Sequence, residues 1–479
     1  MNHHHYGDFA GAAELSRRRA AVLAHRSHAA ARQRDRGRRS AWERIAMLLD
    51  AGSFTEVGSL VRRGPMNASP SSRPGDAVVT GHGTVHGMPV CCFAQDFTVS
   101  GGSLGETAGR KIVKIMDLAL DAGAPVIGIN DSAGGRIQEG VVAQALYGEI
   151  FTRNVRMSGA VPQISVMCGP CAGGAAYSPA LTDFVVMVEG TSHMFVTGPE
   201  ATRQAVGERV GLEELGGARM HNTLSGTAHY LAVDEDDAFR FVRALLSHLP
   251  AAGGTPGSGM RAPGRGGAAP AGTASVPPPS SEAHRILSDV LDPDGFLETQ
   301  ALFATEAVTG FGWLGGASVG VVVARPLGTD GLMGAAECDK VARFVRTCDA
   351  FGLPIVTFAG VAGRPRPVAP AAPTASRNDM PRLMYAYAEA TVPLLTVLAG
   401  PVSGAGYLAL GSRHLGSDIV LAWPGAGAGE LDAFAAAECG AVDEVIDPDD
   451  TRERLHRALW LLRSKRRSAL PRKHGNLPL

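Results

Sequence analysis

Two hydrophobic patterns alternate along the chain. Short apolar runs, at Pro125–Ile129, Val161–Val166, Pro354–Phe358 and Val392–Val397, predict strands. Longer stretches such as Lys111–Asp121 and Lys340–Phe351, which lead into two of these runs, predict helices. Strands alternating with helices at this spacing imply βαβ crossovers, and hence an α/β fold built on parallel strands.

The rhythm is played twice. Leu49-Asp50-Ala51-Gly52-Ser53-Phe54 returns as Leu291-Asp292-Pro293-Asp294-Gly295-Phe296. Gly123-Ala124-Pro125-Val126-Ile127 returns as Gly352-Leu353-Pro354-Ile355-Val356. Val161-Pro162-Gln163-Ile164-Ser165-Val166, followed by Gly169-Pro170 and Gly173-Gly174, returns as Val392-Pro393-Leu394-Leu395-Thr396-Val397, followed by Gly400-Pro401 and Gly404-Ala405. Three correspondences in one order indicate an internal duplication. Between the copies, Ala251–Pro279 is almost wholly Ala, Gly, Pro and Ser, a composition with too little apolar surface to offset ordering entropy. The expected organisation is an N-terminal domain over 1–250, a linker over 251–282 and a C-terminal domain over 283–479.

Composition narrows the function. Lys+Arg 45 against Asp+Glu 46 leaves a net charge of −1, without the basic excess of a general nucleic-acid binder. Seven cysteines in 479 residues form no disulfide framework, and no Cys/His spacing matches a zinc site. No secretory signal is evident, and the most membrane-like window, Val161–Leu181, is broken by Pro162, Pro170 and Pro179, so a cytoplasmic location is expected.

The candidate chemistry lies in glycine-rich turns. Gly173 and Gly174 follow an apolar strand and precede a helix containing Tyr177, and Ser403-Gly404-Ala405-Gly406-Tyr407 repeats the arrangement. Amides at a helix N-terminus suit a developing negative oxygen. Asp131–Gly140 and Ser100–Gly105 supply two further turns, and several at one end of parallel strands would ring one cleft. None has Walker or GxGxxG spacing, so nucleotide hydrolysis and dinucleotide redox chemistry are not expected. Cys168-Gly169-Pro170-Cys171 looks like a redox pair, yet its repeat, Ala399-Gly400-Pro401-Val402, keeps the turn and loses both thiols. His193 reads as a satisfied histidine. No side-chain base, nucleophile triad or metal cluster presents itself.

These residues resemble the carboxyltransferase (beta) subunit of biotin-dependent acyl-CoA carboxylases of the propionyl-CoA carboxylase type. The resemblance is carried by Gln95–Val99 with Gly101-Gly102, by Asp131–Gly140 and by Gly169–Gly174. Thr191–Phe195 with Gly198-Pro199, Glu213–Gly217, Arg343–Asp349 and Lys473–Asn476 add to it. It implies two tandem crotonase-like domains (ClpP/crotonase superfamily) in a homo-oligomer, a hexamer built from dimers, with active sites shared across subunits. It also implies two oxyanion holes of backbone amides, Gly173/Gly174 for an acyl thioester enolate and Ala405/Gly406 for the biotin ureido oxygen. Carboxybiotin would come from a separate biotin carboxylase/biotin carrier partner, and the ureido nitrogen would take the α-proton, so no side-chain base is needed. The basic arm, with Arg38, Ser40 and Arg44, would help hold coenzyme A phosphates. Gly102, Ser132, Gly134 and Gly135 would line the substrate, and Leu408 would tune acyl preference. Neither nucleic acid, membrane nor metal is expected.

The second half departs from the family pattern. Val361–Pro367 and the Pro/Ala-rich stretch to Thr374 replace a Pro-Gly-Phe-Leu-Pro-Gly loop, and Gly425–Gly429 is followed almost at once by Leu431–Val442, where the family has several tens of residues more. Two alternatives follow: a biotin-independent decarboxylase of malonyl- or methylmalonyl-type thioesters, as in polyketide supply, or a non-catalytic carboxylase paralogue.

Overall fold

The computed structural model describes residues 11–62, 74–207, 209–249, 281–293, 295–324, 333–361, 379–465, 467 and 474–476. The 251–282 linker, apart from its last two residues, and the 362–374 replacement loop lie outside them. The chain divides into two compact units, one formed by Met1–Met220 with Leu231–Val242 and the other by His221–Tyr230 with Arg243–Leu479.

In the first unit, Val78–Val85 and Met88–Gln95 form an antiparallel hairpin. Met88–Gln95 then pairs in parallel with Val126–Ser132, which pairs with Gln163–Ala172 and that with Phe184–Val188. The expected strand Pro125–Ile129 is thus Val126–Ser132, and every residue in it is buried. Burial on both faces is what parallel strands covered by crossover helices require, and it explains the unbroken apolar run. The helix Glu106–Ala122 covers one face, burying Ala108, Ile112, Ile115, Met116 and Ala119 at helical spacing before Gly123 ends it in the left-handed conformation.

The second unit repeats the scheme. Ala307–Leu314 and Ala317–Ala324 form the hairpin, followed in parallel by Ile355–Ala359, Leu394–Leu398 and Ile419–Ala422. Ala335–Ala350 is the counterpart helix.

The repeated Leu-Asp motif has a physical purpose. Asp50 accepts the amides of His86 (3.1 Å) and Gly87 (2.9 Å) at the tip of the first hairpin. Asp292 accepts those of Gly315 (3.1 Å) and Gly316 (2.9 Å) at the tip of the second. All four turn residues have positive φ, as a two-residue hairpin turn demands. The repeated Phe lies over a glycine of the hairpin: a Cβ on Gly81 would stand 2.5 Å from Phe54, and one on Gly310 would stand 2.7 Å from Phe296.

The short Gly425–Gly429 segment closes as a small hairpin. Gly427–Ala428 pairs with Leu431–Asp432, Gly429 turns at φ +66°, and Asp432 caps the helix Ala433–Glu438 through the Ala435 amide.

Candidate active site

The strand Gln163–Ala172 ends at Gly173, and the helix Gly174–Ala180 begins one residue later. Gly173 has φ 60° and ψ −127°, a conformation open to glycine and strained for other residues. Its N–H donates to the Phe195 carbonyl at 3.0 Å, on the strand His193–Phe195 that flanks Gln163–Ala172. The Gly173 amide is therefore engaged, which corrects its expected role as an oxyanion donor. The Gly174 amide is the first of the helix and has no acceptor four residues back within it.

Gly174 opens on a cavity of about 610 Å³ whose walls include Gly135, Arg136, Gln144, Tyr147, Phe151 and Tyr177. Two of the predicted turns thus meet in one place. The glycine is required there because a Cβ would stand 2.8 Å from Cδ2 of the Tyr147 ring. Tyr147 and Phe151 stack with centroids 5.8 Å apart, and Phe151 meets Tyr177 edge-on at 6.0 Å. Burial raises the Tyr147 hydroxyl far above the ordinary phenol range, so the ring acts as an apolar wall. Sequence reasoning missed Tyr147, although Ala143, Tyr147 and Phe151 recur at four-residue spacing on one face of Gly140–Met157.

The Ser100–Gly105 and Asp131–Gly135 turns are interlocked. Gly102 has φ 68°, and a Cβ there would stand 2.1 Å from the Asp131 carbonyl oxygen. Ser132 is fully buried; its hydroxyl donates to the Gly102 carbonyl (2.8 Å) and accepts from the Gly134 amide (3.1 Å). A Cβ on Gly134, at φ 101°, would stand 2.8 Å from the Ala172 carbonyl oxygen. Gly102, Ser132 and Gly134 pack against one another and are not among the residues lining the cavity, whereas Gly135 is.

The basic arm is likewise redistributed. Arg44, 1% exposed, pairs with Asp131 (2.9 Å) and Glu235 (2.7 Å), and these carboxylates offset its burial and raise its pKa. Ser40, also 1% exposed, caps the helix Ala41–Leu48 in a reciprocal box with Glu43. Both are interior groups with their polar atoms engaged, so neither is placed to hold a phosphate. Arg38 keeps 20% of its side chain exposed, 3.6 Å from Asp131 and with its guanidinium 5.6 Å from the Phe97 ring centroid. The Asp131–Arg44–Glu235 network fixes the residue immediately before the Ser132–Gly135 turn.

In the second unit, Ser403 caps the helix Gly404–Ala409, its hydroxyl accepting the Gly406 amide at 3.1 Å. Gly406 is therefore not an open donor, unlike its expected role. Ala405, in the first turn, has no acceptor four residues back within the helix. Leu408 is 42% exposed on the same helix.

Other sequence candidates are accounted for. Cys168 and Cys171 are fully buried on their strand, and burial drives both thiols well above their usual range, contrary to a reactive pair. His193 Nε2 lies 2.6 Å from Glu213. Among the described residues, no helix is long and apolar enough to cross a membrane.

A hairpin feeding parallel crossovers, with strand-to-helix turns presenting amides, defines a crotonase-like α/β protein with two such units. The chain belongs to the carboxyl transferase family, whose domain model, "Carboxyl transferase domain", matches residues 32–436. It is a carboxyltransferase-type subunit of the acyl-CoA carboxylase class. It is 46% identical to the propionyl-CoA carboxylase beta chain of Saccharopolyspora erythraea, over 98% of this chain and 95% of that one. It is 42% identical to the methylmalonyl-CoA decarboxylase subunit alpha of Veillonella parvula, over 94% of each. The crystal structure of transcarboxylase 12S with methylmalonyl-coenzyme A and methylmalonic acid bound superposes with a TM-score of 0.87, at 35% identity, covering 99% of this chain and 100% of that one.

Proposed function

We propose that the chain moves a carboxyl group between carboxybiotin and the α-carbon of a short acyl-CoA of the propionyl/acetyl class. The carrying observation is the Gly174 amide, first of its helix, opening on the 610 Å³ cavity beside Gly135. When the α-proton leaves, charge develops on the thioester oxygen, and a preorganised amide in an aromatic-walled cavity stabilises it. Gly174 supplies that hydrogen bond, and Arg38, partly exposed beside Asp131, holds phosphate. The Ala405 amide serves the ureido oxygen of carboxybiotin, brought by a biotinylated partner subunit, and Leu408 contacts the acyl or biotin side. The working protein is a homo-oligomer; transcarboxylase 12S, similar along its whole length, is described as a hexamer.

The relative that is a methylmalonyl-CoA decarboxylase subunit keeps decarboxylation as a second reading. Steady-state assays with propionyl-CoA and a carboxybiotin donor, and with methylmalonyl-CoA alone, separate the two. Transfer that depends on the donor supports the first; CO2 release without biotin selects the second. Within either, Gly174→Ala puts a Cβ 2.8 Å from the Tyr147 ring, displaces the first amide of the helix and is expected to lower kcat roughly 100- to 1,000-fold. A folded variant with full activity overturns the site.

A further inference from the structure

A second cavity, of about 260 Å³, lies away from the glycine turns and is lined by Val57, Gly58, Val61 and Thr80 together with Thr107, Arg110, Lys111 and Lys114. The last four occupy positions i, i+3, i+4 and i+7 of the helix Glu106–Ala122, so three cationic residues share one helix face. Arg110 pairs with Glu106 of its own helix, while Lys114 is exposed and has no ion-pair partner among the described residues.

Lys111 is the unusual member. It is 6% exposed, and its ammonium donates to the carbonyls of Gly75 (2.9 Å) and Val78 (2.5 Å). The duplication provides an internal standard. Lys340, 2% exposed at the matching place on Ala335–Ala350, donates to the carbonyls of Gln300 (2.9 Å), Phe303 (2.8 Å) and Ala307 (2.6 Å), with Ala304 at 3.5 Å. An ammonium has three donors. Those of Lys340 are saturated, whereas one donor of Lys111 has no acceptor among the described residues.

Lys111 lines the cavity, and two glycines bring backbone without a side chain against it. Gly58 and Gly75 both have positive φ; a Cβ on Gly58 would stand 3.2 Å from Lys111 Cε, and one on Gly75 would stand 3.6 Å from its Nζ. The nearby carboxylates face other partners: Asp76 is held by Arg136 at 2.9 Å, and Glu56 accepts the Trp42 indole N–H at 3.3 Å. Burial without a dedicated carboxylate lowers the Lys111 pKa to about 8, leaving the group a cation at neutral pH.

We propose that this cavity is an anion site for a phosphate-class oxyanion, held by the third donor of Lys111 and framed by Lys114 and Arg110. The anion is either free inorganic phosphate or a phosphate group carried on coenzyme A. The proposal does not rest on the carboxyl-transfer reading.

Isothermal titration of the full chain with inorganic phosphate, at constant ionic strength set by chloride, tests it. Saturable binding is expected, weakened roughly tenfold or more by Lys111→Met. Lys114→Ala, on the exposed rim, should weaken it roughly threefold. Lys340→Met should leave the affinity unchanged, since that ammonium is saturated. If Lys111→Met does not fold, Lys114→Ala and Arg110→Ala decide. A repeat with coenzyme A present separates the sources: displacement of phosphate assigns the site to coenzyme A, and simultaneous binding assigns it to the free anion. Absence of saturation, or wild-type affinity in the rim variants, overturns the proposal.

Discussion

Gly173 and Gly174 are adjacent and identical, yet their duties differ. Gly173 is glycine because of its backbone angles, with its amide bonded to Phe195; Gly174 is glycine because Tyr147 occupies the space of a side chain. Gly173→Ala should therefore cost about 1–3 kcal/mol of stability from strain at positive φ, read as a lower urea midpoint. Arg44 offers a sharper test. Arg44→Met leaves Asp131 and Glu235 without their shared cation, and breaking a buried pair from one side costs about 3–5 kcal/mol. The same denaturation measurement should show the larger loss in Arg44→Met. The arginines of the arm were visible as charges in the sequence. That Arg44 points inward and Arg38 reaches the surface was not, because their hydrogen-bond partners lie 87 to 191 positions away.

At the scale of elements, the strands and helices were legible because their patterns are local. The hairpins were not anticipated; their signal is the Asp50 and Asp292 carboxylates reaching across more than twenty residues to two turn amides each. Another element-level feature is the helix end at His248, which stacks on Trp313 with centroids 4.8 Å apart and on Phe311 at 6.0 Å, with Ser318 Oγ 3.2 Å from Nδ1. Desolvation lowers its pKa from 6.5 to about 3. The unfolded chain then binds a proton that the folded chain refuses. The stability associated with this neutral ring is complete above pH 6.5 and is lost as pH falls toward 3, roughly 4 kcal/mol over the whole span. His248→Phe should flatten this acid limb when unfolding is followed at successive pH values between those limits, while leaving stability near neutrality within about 1.5 kcal/mol.

For the whole molecule, the proposed oligomer and its dependence on a biotinylated subunit are measured together. Sedimentation should give about six times the 49.6 kDa chain mass, and transfer to propionyl-CoA should vanish when the biotinylated partner is withheld and return on its addition. A monomer retaining full transfer would contradict the assembly.

The sequence alone determined the class of the molecule. Periodicity and order are properties of neighbours along the chain, so the α/β rhythm, the duplication and the glycine turns were readable in it, and ordered motifs pointed to the family. Only the tertiary structure decided which amides at those turns stay open, because each depends on an acceptor brought from elsewhere: Phe195 for Gly173, the Ser403 hydroxyl for Gly406, and none within the helix for Gly174 or Ala405. A hydrogen bond is settled by distance in space, and separation along the chain does not report it.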